Sequence, residues 1–116
     1  MRPQRSYRDY LHDILQATDE ILAFVEDMDF QAFRSDRRTN LAVIRGLEMI
    51  GEAARHIPAN ERRRHSQVPW QDMVAMRNKL IHQYFGVDLE VLWRTVQEDL
   101  PPLQNAIRRV LAEMQE

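Results

Sequence analysis

Residues 75–88 read AMRNKLIHQYFGVD, and with the PWQDMV before them they repeat apolar residues at intervals of three and four. The members of this stripe are Met73, either Met76 or Arg77, Leu80 and Tyr84. This interval predicts an α-helix with one apolar face. Because proline is favoured in the first turn of a helix, the helix is expected to open at Pro69 and Trp70.

The same predicted helix carries five polar side chains that could take part in binding or catalysis. They are Arg77, Asn78, Lys79, His82 and Tyr84. A guanidinium matches phosphate oxygens, an imidazole exchanges protons near neutral pH, and a phenol hydroxyl can be modified. These residue types suit a site that handles phosphate. The same mixture of charged and apolar residues is also typical of an ordinary amphipathic helix.

Apolar residues recur at the helical interval in the rest of the chain, so helices are predicted throughout. Ser6 followed by Asp9 resembles a capping box and predicts a first helix over about 6–28. Asp29 can then cap a short turn. A second helix is predicted over roughly 37–57.

The second half of the chain is divided by four prolines, at positions 58, 69, 101 and 102. The polar stretch 58–69 is predicted to be a connector that can hold one helical turn at 61–65, and its arginines 62–64 could contact RNA or form a solvated charge run. The motif helix is the third, and a fourth helix is expected to begin at Asp88. Pro101 and Pro102 should break or kink it and so separate it from helix five.

Composition favours a small helical protein. The chain has 116 residues, which suits one hydrophobic core and predicts a single domain over 1–116. Its three glycines argue against a sheet, and the absence of cysteine excludes a disulfide scaffold. No apolar run approaches the length of a membrane span and no signal peptide is evident, so a cytoplasmic location is expected.

These features together predict an all-α protein, a compact up-and-down bundle of four to five helices. Each apolar stripe requires burial against another helix. A stripe left over would form a seam between two copies, so a homodimer or a higher even oligomer is expected. A net charge of −2 argues against tight binding to long duplexes but leaves room for a short single-stranded RNA in a basic cleft.

Two glycines lie inside the predicted second helix, Gly46 and Gly51. Each costs about 1 kcal/mol relative to alanine, so they are interpreted as packing sites where another backbone comes close. The neighbouring Glu52 could support an arginine or the motif histidine, His82. The alternative is an ordinary exposed carboxylate.

The order R-N-x-x-x-H-x-Y at 77–84 resembles the signature of the HEPN superfamily and, within it, of the HepT-like toxins. Pro69-Trp70 precedes it and FGVD at 85–88 follows it, which makes the match more specific. The resemblance extends to DIL at 13–15, AVIRGLEMIGEAA at 42–54 and EDLPPL at 98–103. It therefore covers nearly the whole chain.

This resemblance implies an α-helical, dimer-forming ribonuclease, the toxin of a HepT/MntA-type toxin–antitoxin pair whose antitoxin is a minimal nucleotidyltransferase. It implies that Arg77 and His82 are the catalytic pair and that Asn78 is the polar residue that follows the arginine. Tyr84 would be the residue to which the antitoxin attaches AMP. Lys79 and Glu52 would be supporting residues.

The chemistry also follows from the residues. RNA supplies its own nucleophile, the 2′-hydroxyl, so cleavage needs one group that moves protons and one that stabilises charge on the phosphate. Histidine suits the first task and arginine the second. Because metal-ligand spacings are lacking, neither a metal nor a cofactor is expected. His12, His56 and His65 are scattered and are predicted to be structural or solvated.

The spacing of the catalytic pair constrains the site. Arg77 and His82 are five residues apart, which is about 140° around an ideal helix. Either the helix loosens before His82, or the site is completed across a two-fold interface between chains. The second arrangement supplies two histidines, one as base and one as acid, and it is the one expected.

Three functions remain open at this point. The first is a metal-independent RNase toxin. The second is a non-catalytic helical partner, or a nucleotide-binding subunit, of a nucleotidyltransferase. The third is a structural dimerisation module in which the motif only holds a helix end.

Overall fold

Every regular element that the computed structural model describes is helical. The description covers residues 5–82 and 86–114, with the backbone alone at 81 and 82. The elements are α1 (Tyr7–Phe24), α2 (Phe30–Ser35), α3 (Arg37–Arg55), α4 (Ala59–Arg64), α5 (Trp70–His82), α6 (Leu89–Arg94), a π-helical segment (Thr95–Asp99) and α7 (Leu100–Met114). The all-α prediction is confirmed.

Side-chain caps start several helices where the sequence marks them. The Asp9 N–H donates to the Ser6 hydroxyl at 3.3 Å, and the Ser6 N–H donates to the Asp9 carboxylate at 3.0 Å, which completes the predicted capping box. Asp29 caps α2 by accepting from the Ala32 N–H, and Asp88 caps α6. These carboxylates satisfy N–H groups that a helix start leaves without partners.

Of the two predicted effects of Pro101 and Pro102, a break or a kink, the break is wrong. α6, the π-helical segment and α7 follow one another without a gap, so one helix runs from 89 to 114. The Leu100 N–H donates to the Thr95 carbonyl, five residues back. This wider turn comes just before the prolines and relieves the clash of a proline ring with the carbonyl four residues earlier. Counted this way, residues 5–82 and 86–114 contain six helices, not the four to five predicted.

The predicted connector contains a helix, α4, and its Arg62 closes the end of α3. Arg62 Nη2 donates to the carbonyls of Ala54 at 2.8 Å and Arg55 at 3.1 Å, and its Nε donates to that of Ile57 at 3.0 Å. A helix leaves its last carbonyls without internal partners, and Arg62 supplies donors for them. This half-buried arginine is therefore a helix cap and not part of a solvated charge run.

α3 is the central helix, because it packs against α1 on one side and α5 on the other. Its two glycines lie at these contacts. A Cβ added at Gly46 would lie 2.7 Å from the Ile21 side chain on α1, and one added at Gly51 would lie 2.6 Å from the Met73 carbonyl oxygen on α5. The predicted close approach of another backbone is confirmed at Gly51, whereas the close neighbour of Gly46 is a side chain.

α5 is fixed at its start and along one face. The Trp70 indole is buried and donates to the His65 carbonyl at 3.0 Å, while Met73 and Leu80 contribute to the core. α7 packs on α1 and completes the core from the other side. Among the residues described, no helix is long and apolar enough to span a membrane.

Candidate active site

The contact between α3 and α5 places a carboxylate beside the motif arginine. Gly51 has no side chain, and a Cβ at this position would meet both the Arg77 Cβ and the Met73 carbonyl. The two helices therefore lie closer here than a larger residue would permit. As a result, the next residue of α3, Glu52, reaches Arg77.

Arg77 is held from two sides. Its Nη2 lies 3.0 Å from Oε2 of Glu52, and its Nη1 donates to Oδ1 of Asn78 at 3.3 Å. The Arg77 side chain is still 26% exposed. A guanidinium has five N–H donors in a planar fork, so an arginine anchored by two contacts retains donors for a phosphate.

Glu52 gathers three basic groups around one carboxylate. Its Oε1 accepts from Arg55 Nη2 at 3.0 Å and from His56 Nε2 at 3.3 Å. Its Oε2 is buried and forms the ion pair with Arg77, but the two groups are not aligned as a hydrogen bond. The sequence left open which role Glu52 has, and the structure places it against the arginine.

The charge of Glu52 follows from these contacts. Burial by itself raises the pKa of the Glu52 carboxyl, but the hydrogen bond from His56 and the charges of Arg55 and Arg77 outweigh burial and lower its pKa. Glu52 is therefore ionised at neutral pH. A fixed negative charge at this point orients Arg77 before any substrate binds.

An aromatic stack adjoins this cluster. The rings of Tyr10 and His56 are parallel within 11°, with centroids 4.6 Å apart, and Arg5 lies 4.7 Å from the Tyr10 centroid. His56 was predicted to be structural or solvated, yet its ring contacts Glu52. The four-residue spacing of Glu52 and His56 on one helix could have indicated that contact. No sequence signal joins Tyr10 to them, because Tyr10 comes from α1.

The other candidate residues lie in different places. Lys79 is two residues beyond Arg77, about 200° further around α5, and it lines a cavity of about 170 Å³ with Asp88. Asn78 lies against Arg77, whereas Lys79 does not join the Glu52 cluster. Among the side chains described, no group of three or more His, Asp or Glu residues could hold a metal ion.

His82 and Tyr84 lie at the edge of the description. α5 continues as an α-helix through His82, so the backbone does not loosen between Arg77 and His82. The two positions are therefore about 140° apart around the helix. The side chain of His82 and all of Tyr84 fall outside the described residues.

The class of protein follows from comparison with known families. The profile of the family described as "Ribonuclease HepT-like" matches residues 14–110, which is most of the chain. The chain belongs to the HepT-like ribonuclease family. This agrees with the resemblance carried by the motif on α5.

Individual relatives match over nearly their full length. A protein of Thermococcus cleftensis named "Probable ribonuclease HepT" is 48% identical over 107 residues, which is 92% of this chain and 97% of the relative. A Methanocaldococcus jannaschii protein named as a candidate RNase is 38% identical over 114 residues, 98% of each chain. Another candidate RNase, from Caldanaerobacter subterraneus, is 38% identical over 104 residues, covering 90% of this chain and 93% of the relative. No solved structure matches the chain significantly.

Proposed function

We propose that the chain is a metal-independent endoribonuclease toxin that cleaves RNA by attack of a 2′-hydroxyl on the adjacent phosphate. One observation carries the proposal. In a chain of a ribonuclease family, the motif residue Arg77 is fixed at the contact of two helices by Glu52, with Asn78 beside it. A charge oriented before the substrate binds stabilises developing negative charge without further reorganisation.

In the proposed reaction, His82 takes the proton of the 2′-hydroxyl while that oxygen forms a bond to phosphorus. Arg77 donates to a non-bridging oxygen of the resulting phosphorane. The bond from phosphorus to the 5′-oxygen then breaks, and a protonated second His82 gives its proton to the leaving oxygen. The products are an RNA with a 2′,3′-cyclic phosphate and an RNA with a 5′-hydroxyl.

The experiment is incubation of the purified protein with tRNA or mRNA in the presence of EDTA. Cleavage is expected to continue, because the proposed nucleophile belongs to the RNA. A short substrate with a single 2′-deoxy nucleotide before the cut should stay intact at that bond. Efficient cleavage of this substrate would refute attack by the 2′-hydroxyl, and loss of all activity in EDTA would refute metal independence.

The two histidines of this reaction would come from two chains. Because Arg77 and His82 are about 140° apart on a continuous helix, one chain can present its Arg77 together with the His82 of a second copy. The proposed assembly is therefore a homodimer, or a higher even oligomer, with α5 at the seam. Light scattering is expected to give an even multiple of the chain mass. A monomer mass with full cleavage activity would contradict the shared site.

The proposed antitoxin is a nucleotidyltransferase that attaches AMP to Tyr84. Each AMP brings a negative phosphate and a bulky nucleoside to the end of the motif, where it would repel and occlude RNA near Arg77 and His82. Support for this partner comes from the motif resemblance alone.

Co-expression with a cognate nucleotidyltransferase should therefore add one or more AMP masses to the wild type, measured by intact-mass spectrometry. Tyr84→Phe should stay unmodified and remain toxic in the presence of the antitoxin. Tyr7→Phe is the matched control and should be modified and neutralised like the wild type. AMP on Tyr7 or Tyr10, or full neutralisation of Tyr84→Phe, would overturn this mechanism.

A further inference from the structure

An aromatic surface lies beside the proposed catalytic arginine and has no part in the reaction above. Tyr10 stacks on the His56 ring with a centroid separation of 4.6 Å, and the Arg5 guanidinium lies 4.7 Å from the Tyr10 centroid. The outermost ring of this series is His56. Its side chain is 40% exposed although Tyr10 covers one of its faces.

The stack is connected to Arg77 through a single carboxylate. His56 Nε2 lies 3.3 Å from Oε1 of Glu52, and Arg77 Nη2 lies 3.0 Å from Oε2 of the same group. A flat ligand on the outer face of His56 would therefore lie next to the group that is proposed to hold the reacting phosphate.

Exposed guanidinium groups border the stack. The cations are Arg5, Arg55 and Arg77, and the anions beside them are Asp9, Asp13 and Glu52. Arg5 and Arg55 keep 48% and 55% of their side chains exposed, so both can also meet a phosphate.

We propose that Tyr10 and His56 form a stacking subsite for one unpaired nucleotide of the RNA, adjacent to the phosphate bound by Arg77. The proposal rests on the ribonuclease function proposed above and names the substrate as single-stranded at this position. A base inside a duplex is already stacked on both faces, whereas an unpaired base can stack on an aromatic side chain. Base stacking tolerates any sequence, so the subsite selects for lack of pairing rather than for a base.

The test measures RNA affinity in a His82→Ala background, so that the RNA stays uncut. Fluorescence anisotropy gives the Kd for a short single-stranded RNA and for its duplex. His56→Ala is expected to weaken single-strand binding by roughly 5- to 150-fold, the range that loss of one stacked base produces. It should leave the weaker duplex binding unchanged.

Two further variants separate stacking from support of Glu52. His56→Phe keeps a flat ring and loses the hydrogen bond, so its Kd for single-stranded RNA should stay close to that of the His82→Ala protein, which is the reference. His56→Gln keeps a donor for Glu52 and loses the ring, so it should bind as weakly as His56→Ala. The control His12→Ala removes an exposed histidine from α1 and should have no effect. Tighter binding of single-stranded RNA by His56→Gln than by His56→Phe would overturn the proposal.

A scan with abasic nucleotides tests the same contact from the RNA side. One abasic position should weaken binding to the reference protein and have no further effect on His56→Ala, because both changes remove the same stack. The dependence of Kd on salt should be equal in the two proteins, since no phosphate contact is lost. A shallower dependence in His56→Ala would mean that the imidazolium binds phosphate, which contradicts stacking.

These results are independent of the proposed cleavage. If the wild type binds single-stranded RNA through this stack but never cuts it, the ribonuclease proposal fails and the subsite stands. If the wild type cuts RNA and His56→Ala binds and cuts it equally well, the subsite is refuted and the ribonuclease proposal stands.

Discussion

His82→Ala is expected to abolish RNA cleavage and growth inhibition while the helical fold persists. Positioned proton transfer contributes typically about 10²- to 10⁴-fold to a rate, and this variant removes both the base and the acid if two copies of His82 share the site. Initial rates of cleavage of a labelled RNA in EDTA measure the loss, and circular dichroism checks the fold. His12→Ala, which removes an exposed histidine far along the sequence, should cleave like the wild type.

Arg77→Lys belongs to the same experiment because it separates charge from geometry. Lysine keeps the positive charge but has no planar fork, so it cannot contact Glu52 and a phosphate in the manner of a guanidinium. The cleavage rate should fall by a factor near that of His82→Ala. Arg109→Lys, at an exposed position on α7, is the matched control. A His82→Ala protein with the wild-type cleavage pattern, or a fully active Arg77→Lys, would remove the assigned roles.

The sequence predicts the fold well where the signal is local. A capping box, an aspartate at the start of a helix and an apolar stripe are signals that each lie within one helix. α1, α3 and α5 therefore lie close to where they were expected. The junction at Pro101 could not be predicted in the same way. Proline usually ends a helix, and only the widened turn over Thr95–Asp99 lets the helix continue here.

The candidate site was predictable in part for the same reason. Gly51 was expected at a close approach because it lies inside a helix, and support of an arginine was one of the roles left open for Glu52. The structure puts Glu52 on Arg77. The contact of Tyr10 with His56 joins α1 to the end of α3 and depends on tertiary packing. Neither periodicity nor spacing carries that information, so the stack was not predicted, whereas the four-residue spacing of Glu52 and His56 could have indicated their contact.

Gly51→Ala is expected to damage both stability and cleavage, and Gly46→Ala is its matched control. Both substitutions replace a helical glycine and gain about 1 kcal/mol of helix propensity. They differ in what the new methyl group meets. At Gly46 it meets Cδ1 and Cγ1 of the fully buried Ile21 side chain at 2.7 Å, so Ile21 must repack at a cost of about 1 to 3 kcal/mol, part of which the gain in propensity offsets. Within the described part of the chain it meets no atom of α5, so the cleavage rate should stay close to that of the wild type.

At Gly51 the new methyl group meets the Met73 carbonyl oxygen at 2.6 Å and the Arg77 Cβ, and neither can move without a shift of α5. Such overpacking costs about 3 kcal/mol, which exceeds the gain in propensity. The shift also moves Arg77 away from Glu52, and a displacement of about 1 Å can reduce a rate about 100-fold. Urea unfolding and initial cleavage rates on the folded protein measure the two effects. If Gly51→Ala were as stable and as active as Gly46→Ala, the close approach of α3 and α5 would not be what positions Arg77.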